Sequence, residues 1–405
     1  MRRILVIADD LSGAAEITGI GARHGLSARL ERDAPVVAHD GLTVLDTDTR
    51  LLPQDEAAER VRRAVRHLRP GDFELIYKKT DSVFRGPILA ELDALMEVFH
   101  RPAAVFVAQN PSRGRTIRDG VYRIDDVPLN ETRFAQDPEY PARTSSPLEL
   151  LGRSKHRPTR LAKNPGDAAA TDAGAGVGVG AGVGAGVTIG EAASGEDVRR
   201  WAESTTANVL PAGGADFFEA ILESRGLASS HPYLTALPPG RTLVVCGTSP
   251  AFSGNSVARA QVEQVPVCPM PDHSHGSVAS LEAWHAAARH ALDSTGRAVI
   301  VIQRPLDHTP GVAQRFQAAL AEVVGRLLAT PGQGADNLLL EGGATASAVC
   351  RRMDWHQFDV DGEFAPGVVQ LHARSADGSP GHRLVIKPGS YPWPDAVWMR
   401  TASEA

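Results

Sequence analysis

The chain has 405 residues, of which 42% are hydrophobic and 22% charged, and it carries a formal net charge of −6. That length predicts two domains, each able to bury its own core, and the acidic balance argues against a nucleic-acid partner while leaving room for a local basic pocket. No apolar run approaches the roughly 20 residues needed to span a bilayer, so no membrane partner is expected.

Residues 3–8 (RILVIA) form a continuous apolar run, the pattern of a strand buried on both faces of a parallel sheet. Asp9 and Asp10 follow at once, where a secretory signal would stay apolar up to a small-residue cleavage site; a first strand of a cytoplasmic protein is expected instead. Small residues then lead into Ile17, Ile20 and Gly21, which predicts a helix packed closely on the sheet. One aspartate is expected to cap that helix. The other is expected to face a ligand or metal, and Asp10 is assigned to the ligand. Residues 42–45 predict a second buried strand ending in Asp46-Thr47-Asp48-Thr49-Arg50, followed by an amphipathic helix over 56–68. Residues 75–77 predict a third strand. It runs into Lys78-Lys79-Thr80-Asp81-Ser82 and then Arg85-Gly86-Pro87, and Leu89, Leu92, Leu95, Met96 and Phe99 continue at helical spacing. Two lysines, an aspartate, a serine and an arginine in eight residues suit an anionic, hydroxylated ligand; the plainer alternative is a solvated loop whose charges pair with one another. A fourth strand, 103–108, ends in Gln109-Asn110-Pro111 and a Gly-Arg pair. Four successive strands ending in polar loops predict a mainly parallel sheet with helices on both faces and a small-molecule site at the strand ends.

Residues 119–147 read as a β-hairpin arm and a loop. Residues 153–164 are basic, and 168–187 are almost only Ala, Gly and Val. The glycine repetition there imitates a dinucleotide loop cheaply, without the preceding strand or acidic partner. It is read as a flexible insertion, 164–187, with the basic run as a solvated tether. Strands at 187–190 and 207–210 and helices at 197–204 and 216–224 close the first domain, and a Pro/Gly/Ser-rich linker at 226–241 marks the boundary. Beyond it, the strand 242–246 leads into Gly247-Thr248-Ser249-Pro250 and a helix, a turn whose N–H groups suit phosphate, although it is not a Walker A sequence. His273 and His275 form a lone H-x-H, read as a loop. A strand at 298–303, a helix at 312–327, a strand at 337–340 with a second glycine-rich turn (Glu341 to Ala346), and a strand at 383–386 running into Lys387-Pro388-Gly389-Ser390 complete the chain. Lys387 is placed to neutralise a phosphate, or else is a surface lysine. Cys246, Cys268 and Cys350 match no zinc or disulfide spacing and are read as buried hydrophobes.

Taken in order, the motifs resemble those of the four-carbon acid sugar kinase family. The D-D-L-T-G-A-like element falls at Ala8 to Ala14, with Ser12 for threonine; the D-T-x-S-R-like element at 46–50; K-K-x-D-S-T-x-R-G at 78–86, with Val83 in the last hydroxyl place; N-P-x-x-G-R at 110–115; G-G-D-T-A at 342–346; and K-P-G-x-F-G from Lys387 onward. The resemblance implies two α/β domains with mainly parallel sheets facing each other across a cleft: an acid-sugar-binding domain, 1–228, and a nucleotide-binding domain, 241–405. It implies ATP and Mg2+ as cofactors and transfer of a phosphoryl group to a tetronate hydroxyl, with the metal ligands unassigned and a homo-oligomer allowed. Asp10, Asp81 and Lys79 would be catalytic. Asp9, Arg50, Ser82, Arg85 and Asn110 would hold the sugar acid, and Ser249, Gly342, Gly343, Ala344, Thr345, Lys387 and Gly389 the nucleotide. Two positions depart from the pattern: Ala344 stands where the family has aspartate, and Tyr391-Pro392 where it has Phe-Gly. The Ala344 departure keeps open a catalytically weakened or sensory homologue, and the glycine-rich turns a dehydrogenase-like enzyme.

Overall fold

The computed structural model describes residues 2–32, 39–137, 139–154, 156–170, 185–247, 250–272, 278–304, 309, 311–329, 334–374 and 380–398. In chain order the strands are β1 (Arg3–Ala8), β2 (Ala28–Arg32), β3 (Gly41–Asp46), β4 (Leu75–Lys79), β5 (Ala103–Val107), β6 (Arg115–Arg118), β7 (Val121–Ile124), β8 (Val127–Pro128), β9 (Thr159–Ala162), β10 (Gly186–Gly190), β11 (Val209–Gly213), β12 (Thr242–Cys246), β13 (Val267–Pro269), β14 (Arg297–Val301), β15 (Asn337–Glu341), β16 (Gln357–Ala365), β17 (Val368–Arg374) and β18 (Pro380–Lys387). The helices are α1 (Leu11–Arg23), α2 (Gln54–Val65), α3 (Ile88–Val98), α4 (Pro147–Leu151), α5 (Pro165–Ala170), α6 (Gly195–Glu203), α7 (Ala215–Ser224), α8 (Pro250–Val262), α9 (Val278–Thr295), α10 (Val312–Leu328) and α11 (Gly343–Met353). Two compact units result. The first comprises Met1–Asp9, His24–Ser27 and Asp33–Ser230; the second comprises Asp10–Arg23, Ala28–Arg32 and His231–Ala405.

The first unit is built on a sheet ordered β3-β1-β4-β11-β5-β10-β9, parallel throughout. Its inner strands are buried along nearly their whole length because helices cover both faces. Alternation along β4 shows how one strand serves both layers. Ile76 joins the core that holds Leu92 and Leu95 of α3, whereas Tyr77 points the other way, its ring 6.1 Å from Phe217 and 5.2 Å from Phe218 of α7. The expected hairpin arm is present as the antiparallel β6-β7-β8. The basic run is not a tether: Thr159–Ala162 is an edge strand paired in parallel with β10, and edge strands tolerate charge because one side meets solvent. Of the expected insertion, residues 165–170 are helical and 186–190 are strand, while 171–184 lie outside the described residues.

The second unit has a sheet whose order β13-β14-β12-β15-β18 is parallel and whose remainder, β17-β16-β2, is antiparallel. Helix α1 packs on β16 and β17, and β2 pairs with β16, so these early segments belong to this unit's core. The three cysteines are buried thiols, in keeping with their reading as small hydrophobes. The 18-residue helix α9 and the β16–β17 hairpin are absent from the sequence reading. Among the described residues, no helix is long and apolar enough to cross a membrane.

Candidate functional site

Parallel register decides which side chains of the first unit can meet. Ala8 pairs with both Asp46 and Lys79, Lys79 with Gly213, and Gly213 with Val107. The loops leaving these strands therefore start in one row, and polar residues far apart in sequence become neighbours.

Asp9 follows β1 and accepts two hydrogen bonds from Arg50, Nε to Oδ2 at 2.7 Å and Nη2 to Oδ1 at 2.9 Å, the bidentate geometry that fixes a guanidinium. Asp81 follows β4. Its Oδ2 accepts from the backbone N–H of Val83 and of Arg85, each at 3.1 Å, and from Arg85 Nε at 3.0 Å; its Oδ1 accepts from Arg85 Nη2 at 2.8 Å and lies 3.7 Å from Arg50 Nη1. Burial opposes ionisation of this carboxyl, but the Arg85 and Arg50 guanidiniums overcome it and hold the group well below the usual carboxylate range. Arg85 also donates from Nη1 to Asp137 Oδ2 at 3.1 Å; burial would loosen its proton, but the Asp81 carboxylate above all, with a smaller share from Asp137, holds it more tightly. Ser82 accepts from Arg115 on its hydroxyl and from Tyr122 on its carbonyl at 2.6 Å. Phe84 sits between them at a φ of 67°, strained for an aromatic residue. Edge contacts to Phe106 and Tyr122, with centroids 5.1 and 5.6 Å away, hold it there.

The two lysines of the motif part company, as neighbours on a strand must. Lys78 points to α3, where its Nζ lies 3.0 Å from Glu91 Oε2, both groups being fully buried. Burial pushes the Glu91 carboxyl up, against the pull of Lys78, and Thr49 donates to the same carboxylate. Lys79, on the other face, is buried and donates to the Thr80 carbonyl at 3.1 Å. Asn110, expected to bind substrate, uses its carboxamide oxygen to accept from the Asp216 N–H at 3.2 Å, the opening turn of α7. Arg85, expected to grip a carboxylate, already holds Asp81 and Asp137. Sequence reasoning missed Glu91, Asp137 and Tyr140, whose hydroxyl donates to the Arg50 carbonyl at 2.7 Å. Glu91 lies on a helix read only for its apolar stripe, and Asp137 in a segment with no periodicity. Beside Arg85 and Tyr140 the first unit has a cavity of about 280 Å³.

In the second unit, β15 ends at Glu341 and the chain turns through Gly342, whose φ of 93° suits glycine, into α11. Thr345 Oγ1 and Gln317 Oε1 are buried without a hydrogen-bond partner, although Gln317 Nε2 donates to the Gly247 carbonyl at 2.8 Å. A Cβ on Gly247 would stand 2.3 Å from the Thr345 hydroxyl and 2.8 Å from Gln317 Oε1, so only glycine leaves these oxygens room. Ala344 is exposed on the first turn of α11. Asp10 belongs to this unit, and the expected division of labour is redrawn: Asp10 itself caps α1, its Oδ1 accepting from the Gly13 N–H at 2.9 Å. Its Oδ2 accepts from Ser12 at 2.7 Å and lies over Gly343, where a Cβ would come within 2.3 Å of it. Lys387 is neither a surface lysine nor open to a phosphate. It is buried 3.0 Å from Glu341 Oε2 and 5.1 Å from the Trp393 ring centroid, and burial pulls its ammonium down despite that carboxylate. Glu341 also accepts from Ser256 at 2.5 Å and from Trp393 at 3.1 Å. Gly389 is half-buried in the loop after β18, and Ser249, His273 and His275 lie outside the described residues. Among the described residues, His24, Glu219 and Glu223 have metal-ligand spacing; His24 contacts Leu227 O at 2.9 Å and Glu219 at 3.1 Å, hydrogen bonds that account for the grouping without an ion.

A parallel sheet ending in a charged, hydroxyl-bearing network, joined to a second α/β unit with a glycine-rich strand-to-helix turn, defines a two-part protein for a small polar ligand and a phosphate-bearing one. Residues 4–221 match the family model described as a sugar-binding N-terminal domain, and residues 243–391 that described as a nucleotide-binding C-terminal domain. The chain belongs to this family, the four-carbon acid sugar kinase family. It is 37% identical over 159 residues to a D-threonate kinase of Salmonella typhimurium, a match that spans 37% of this chain and 36% of that protein. It is 27% identical to a D-threonate kinase of Cupriavidus necator over 97% of the chain and 96% of the relative, and 25% identical to a 3-oxo-tetronate kinase of Haemophilus influenzae over 92% and 94%. A crystal structure from Salmonella typhimurium LT2, described as that of a tRNA synthase, aligns with a TM-score of 0.76 at 21% identity over 98% of this chain and 97% of that one. One from Haemophilus influenzae aligns at 0.68 and 20% over 96% and 97%. At these identities the likeness speaks for the fold.

Proposed function

We propose that the protein is a cytoplasmic, ATP-dependent kinase that phosphorylates a hydroxyl of a four-carbon acid sugar: threonate, erythronate or a 3-oxo-tetronate. The observation that carries this reading is the network Asp9–Arg50–Asp81–Arg85, with Ser82 and Arg115, assembled from loops after three strands of one sheet. Arg50 and Arg85 are already engaged by Asp9, Asp81 and Asp137, so ligand recognition proceeds by exchange. The Asp137–Arg85 contact is the outer one, with Arg85's side chain 30% exposed. A sugar carboxylate replacing Asp137 there keeps a negative partner on Arg85. Asp81, held ionised by two guanidiniums, then accepts a hydrogen bond from the sugar hydroxyl and orients it.

The sugar-binding role is assigned to residues 1–228 and the nucleotide-binding role to 241–405, joined by the N-terminal segment 10–23 that packs with the latter. Buried, unpartnered oxygens on Thr345 and Gln317 beside a glycine that a methyl group would close fit a magnesium nucleotide, since hard cations take oxygen ligands. When bound, the metal neutralises phosphate charge. Thr345, Gln317 and Asp10 would hold the phosphate end, while Gly342 and Gly343 let the backbone approach it. The test is a coupled ADP-release assay with ATP and each of the three tetronates, run beside titration calorimetry. ADP release with one of them is the expected result. Binding of both ligands without release would make the chain a sensor, and binding of neither would overturn the reading.

A further inference from the structure

The loop after β3, Asp46-Thr47-Asp48-Thr49-Arg50, carries a hydroxyl or a charge at every position, yet Thr47 and Thr49 are 3% and 0% exposed. Buried hydroxyls require partners. The Thr47 hydroxyl donates to the Ala8 carbonyl at 2.8 Å and lies 2.8 Å from Thr49 Oγ1, and the Thr49 hydroxyl donates to Glu91 Oε1. Glu91, in the first turn of α3, is met on its other oxygen by Lys78 of β4 at 3.0 Å. A line of contacts thus runs from β4 through α3 and the β3 loop to the end of β1. The ion pair at its foot is weak evidence for stability, since apolar side chains of similar volume often serve as well. What such side chains could not supply is an acceptor for Thr49.

That hydrogen bond is made one residue before the guanidinium at the centre of the network. The N–H groups of Thr49 and Arg50 both donate to the Asp9 carbonyl, at 2.9 and 3.1 Å. Just before them Asp48 takes a φ of 48°, with its N–H on Asp46 Oδ1 at 2.9 Å, and the chain reverses so that Thr49 turns into the core. The Arg50 carbonyl accepts from Tyr140 at 2.7 Å, and a Cβ on Gly86 would stand 3.3 Å from it. Arg50 is therefore held on its backbone from both sides. Its guanidinium is left where Asp9 grips it and Asp81 Oδ1 lies 3.7 Å away. A guanidinium fixed before the ligand arrives loses little freedom on binding.

We propose that Thr49 is the positioning residue for Arg50 and that the buried Lys78–Glu91 pair is its anchor, so that α3 sets the affinity of the first unit for its ligand. None of these three side chains touches the ligand; each acts through Arg50. The KM arm of the test rests on the sugar-acid reading given above, and the arginine arm does not.

The experiment uses the full chain, Thr49→Val, Thr49→Ser and the double variant Lys78→Met with Glu91→Met. Valine keeps the volume of threonine without the hydroxyl, serine keeps the hydroxyl, and the two methionines remove the acceptor without stranding a charge. Solvent exchange of the Arg50 Nε–H is followed in spectra of isotope-labelled arginine, assigned as the signal missing from Arg50→Lys. It should quicken roughly tenfold in Thr49→Val and in the double variant. In Thr49→Ser it should stay within about threefold of native. KM for the sugar acid should follow the same order, rising roughly fivefold while kcat stays within about threefold, because Asp81 keeps Arg85. A merely structural role would instead follow the melting temperature, which the double variant largely retains. Native-like Arg50 exchange in Thr49→Val or in the double variant overturns the proposal, as does an unmoved KM or a Thr49→Ser protein as loose as Thr49→Val. Should Thr49→Val fail to fold, the double variant decides. If the native protein turns over no tetronate, the kinase reading falls, while the exchange of Arg50 still decides the positioning.

Discussion

Asp81→Asn isolates the charge at the centre of the first unit's network. Asparagine keeps the shape and one acceptor, so the N–H groups of Val83 and Arg85 and the Arg85 Nε, now within 3.0–3.1 Å of Oδ2, retain a partner. The other atom becomes an NH2 that faces Arg85 Nη2 at 2.8 Å and Arg50 Nη1 at 3.7 Å, donor against donor. A hydrogen bond to a charged group contributes roughly 1.5–3 kcal/mol, and stranding a buried charge costs roughly 3–5 kcal/mol. Arg85 and Arg50 are 30% and 16% exposed, so water recovers part of this and the lower end applies, about 3 kcal/mol. For a unit of this size that is a fall of roughly 6–12 °C in melting temperature. The sign with pH follows from a depressed carboxyl: the native advantage is present above the unfolded value near 3.8 and fades as pH falls below it, so native and variant melting curves should converge in acid. Turnover should drop by roughly 10²–10⁴-fold through loss of the oriented hydroxyl. Nucleotide affinity, which belongs to the second unit, should be unchanged. Differential scanning calorimetry, the coupled assay and nucleotide titration read these three quantities. A folded Asp81→Asn protein that turns over within about threefold of the native rate would refute the assignment.

Lys78→Met strands Glu91 in the core and should cost about 3–5 kcal/mol, whereas Lys78→Met with Glu91→Met removes the orphaned charge and should recover most of it; denaturant melts of the cycle report the coupling. Thr345→Val keeps the volume but replaces the buried hydroxyl with a methyl, and should weaken nucleotide binding by about tenfold while leaving sugar-acid binding intact, as calorimetry will show. The Glu363 carboxyl, raised from 4.5 to about 7, contributes stability that is complete below about 4.5 and lost as pH rises through 7. Linkage makes this about 3 kcal/mol, visible as a falling melting temperature across that window that Glu363→Gln lacks.

The parallel framework was legible because buried parallel strands are written as uninterrupted apolar runs, and β1, β3, β4, β5, β12 and β15 all read that way. The strand-end loops were legible for a complementary reason: Asp9, Arg50, Asp81 and Arg85 are the polar residues that interrupt those runs. What the sequence did not disclose is pairing across the register. Lys78 and Lys79 look alike in sequence, yet strand alternation sends one to Glu91 and the other to the opposite face. Lys387 looks like a phosphate ligand until Glu341, its register partner on β15, is seen to claim it. Helix α9 was missed because only four of its residues are buried, leaving little periodic signal. The β16–β17 hairpin was missed because its polar positions blur the alternation, and Glu363, which reads as a solvated charge, is among its most deeply buried.

The consecutive aspartates show how finely chemistry can be divided along a backbone. Asp9 ends a strand of the first unit and binds Arg50; Asp10 starts a helix of the second and lies over Gly343. One peptide bond separates a carboxylate that organises the first unit's guanidiniums from one that borders the second unit's glycine-rich turn. Neither can take the other's place, because Asp9 still accepts backbone N–H groups of Thr49 and Arg50 on its carbonyl, at 2.9 and 3.1 Å, whereas the Asp10 carbonyl already closes the first turn of α1 by accepting from Ala14 at 2.9 Å. The paired acidic motif is therefore two residues with two backbone duties, and the cap and the ion pair are the physical reasons both must be aspartate-sized: a longer side chain at Asp10 would overshoot the Gly13 N–H, and one at Asp9 would push Arg50 out of bidentate reach.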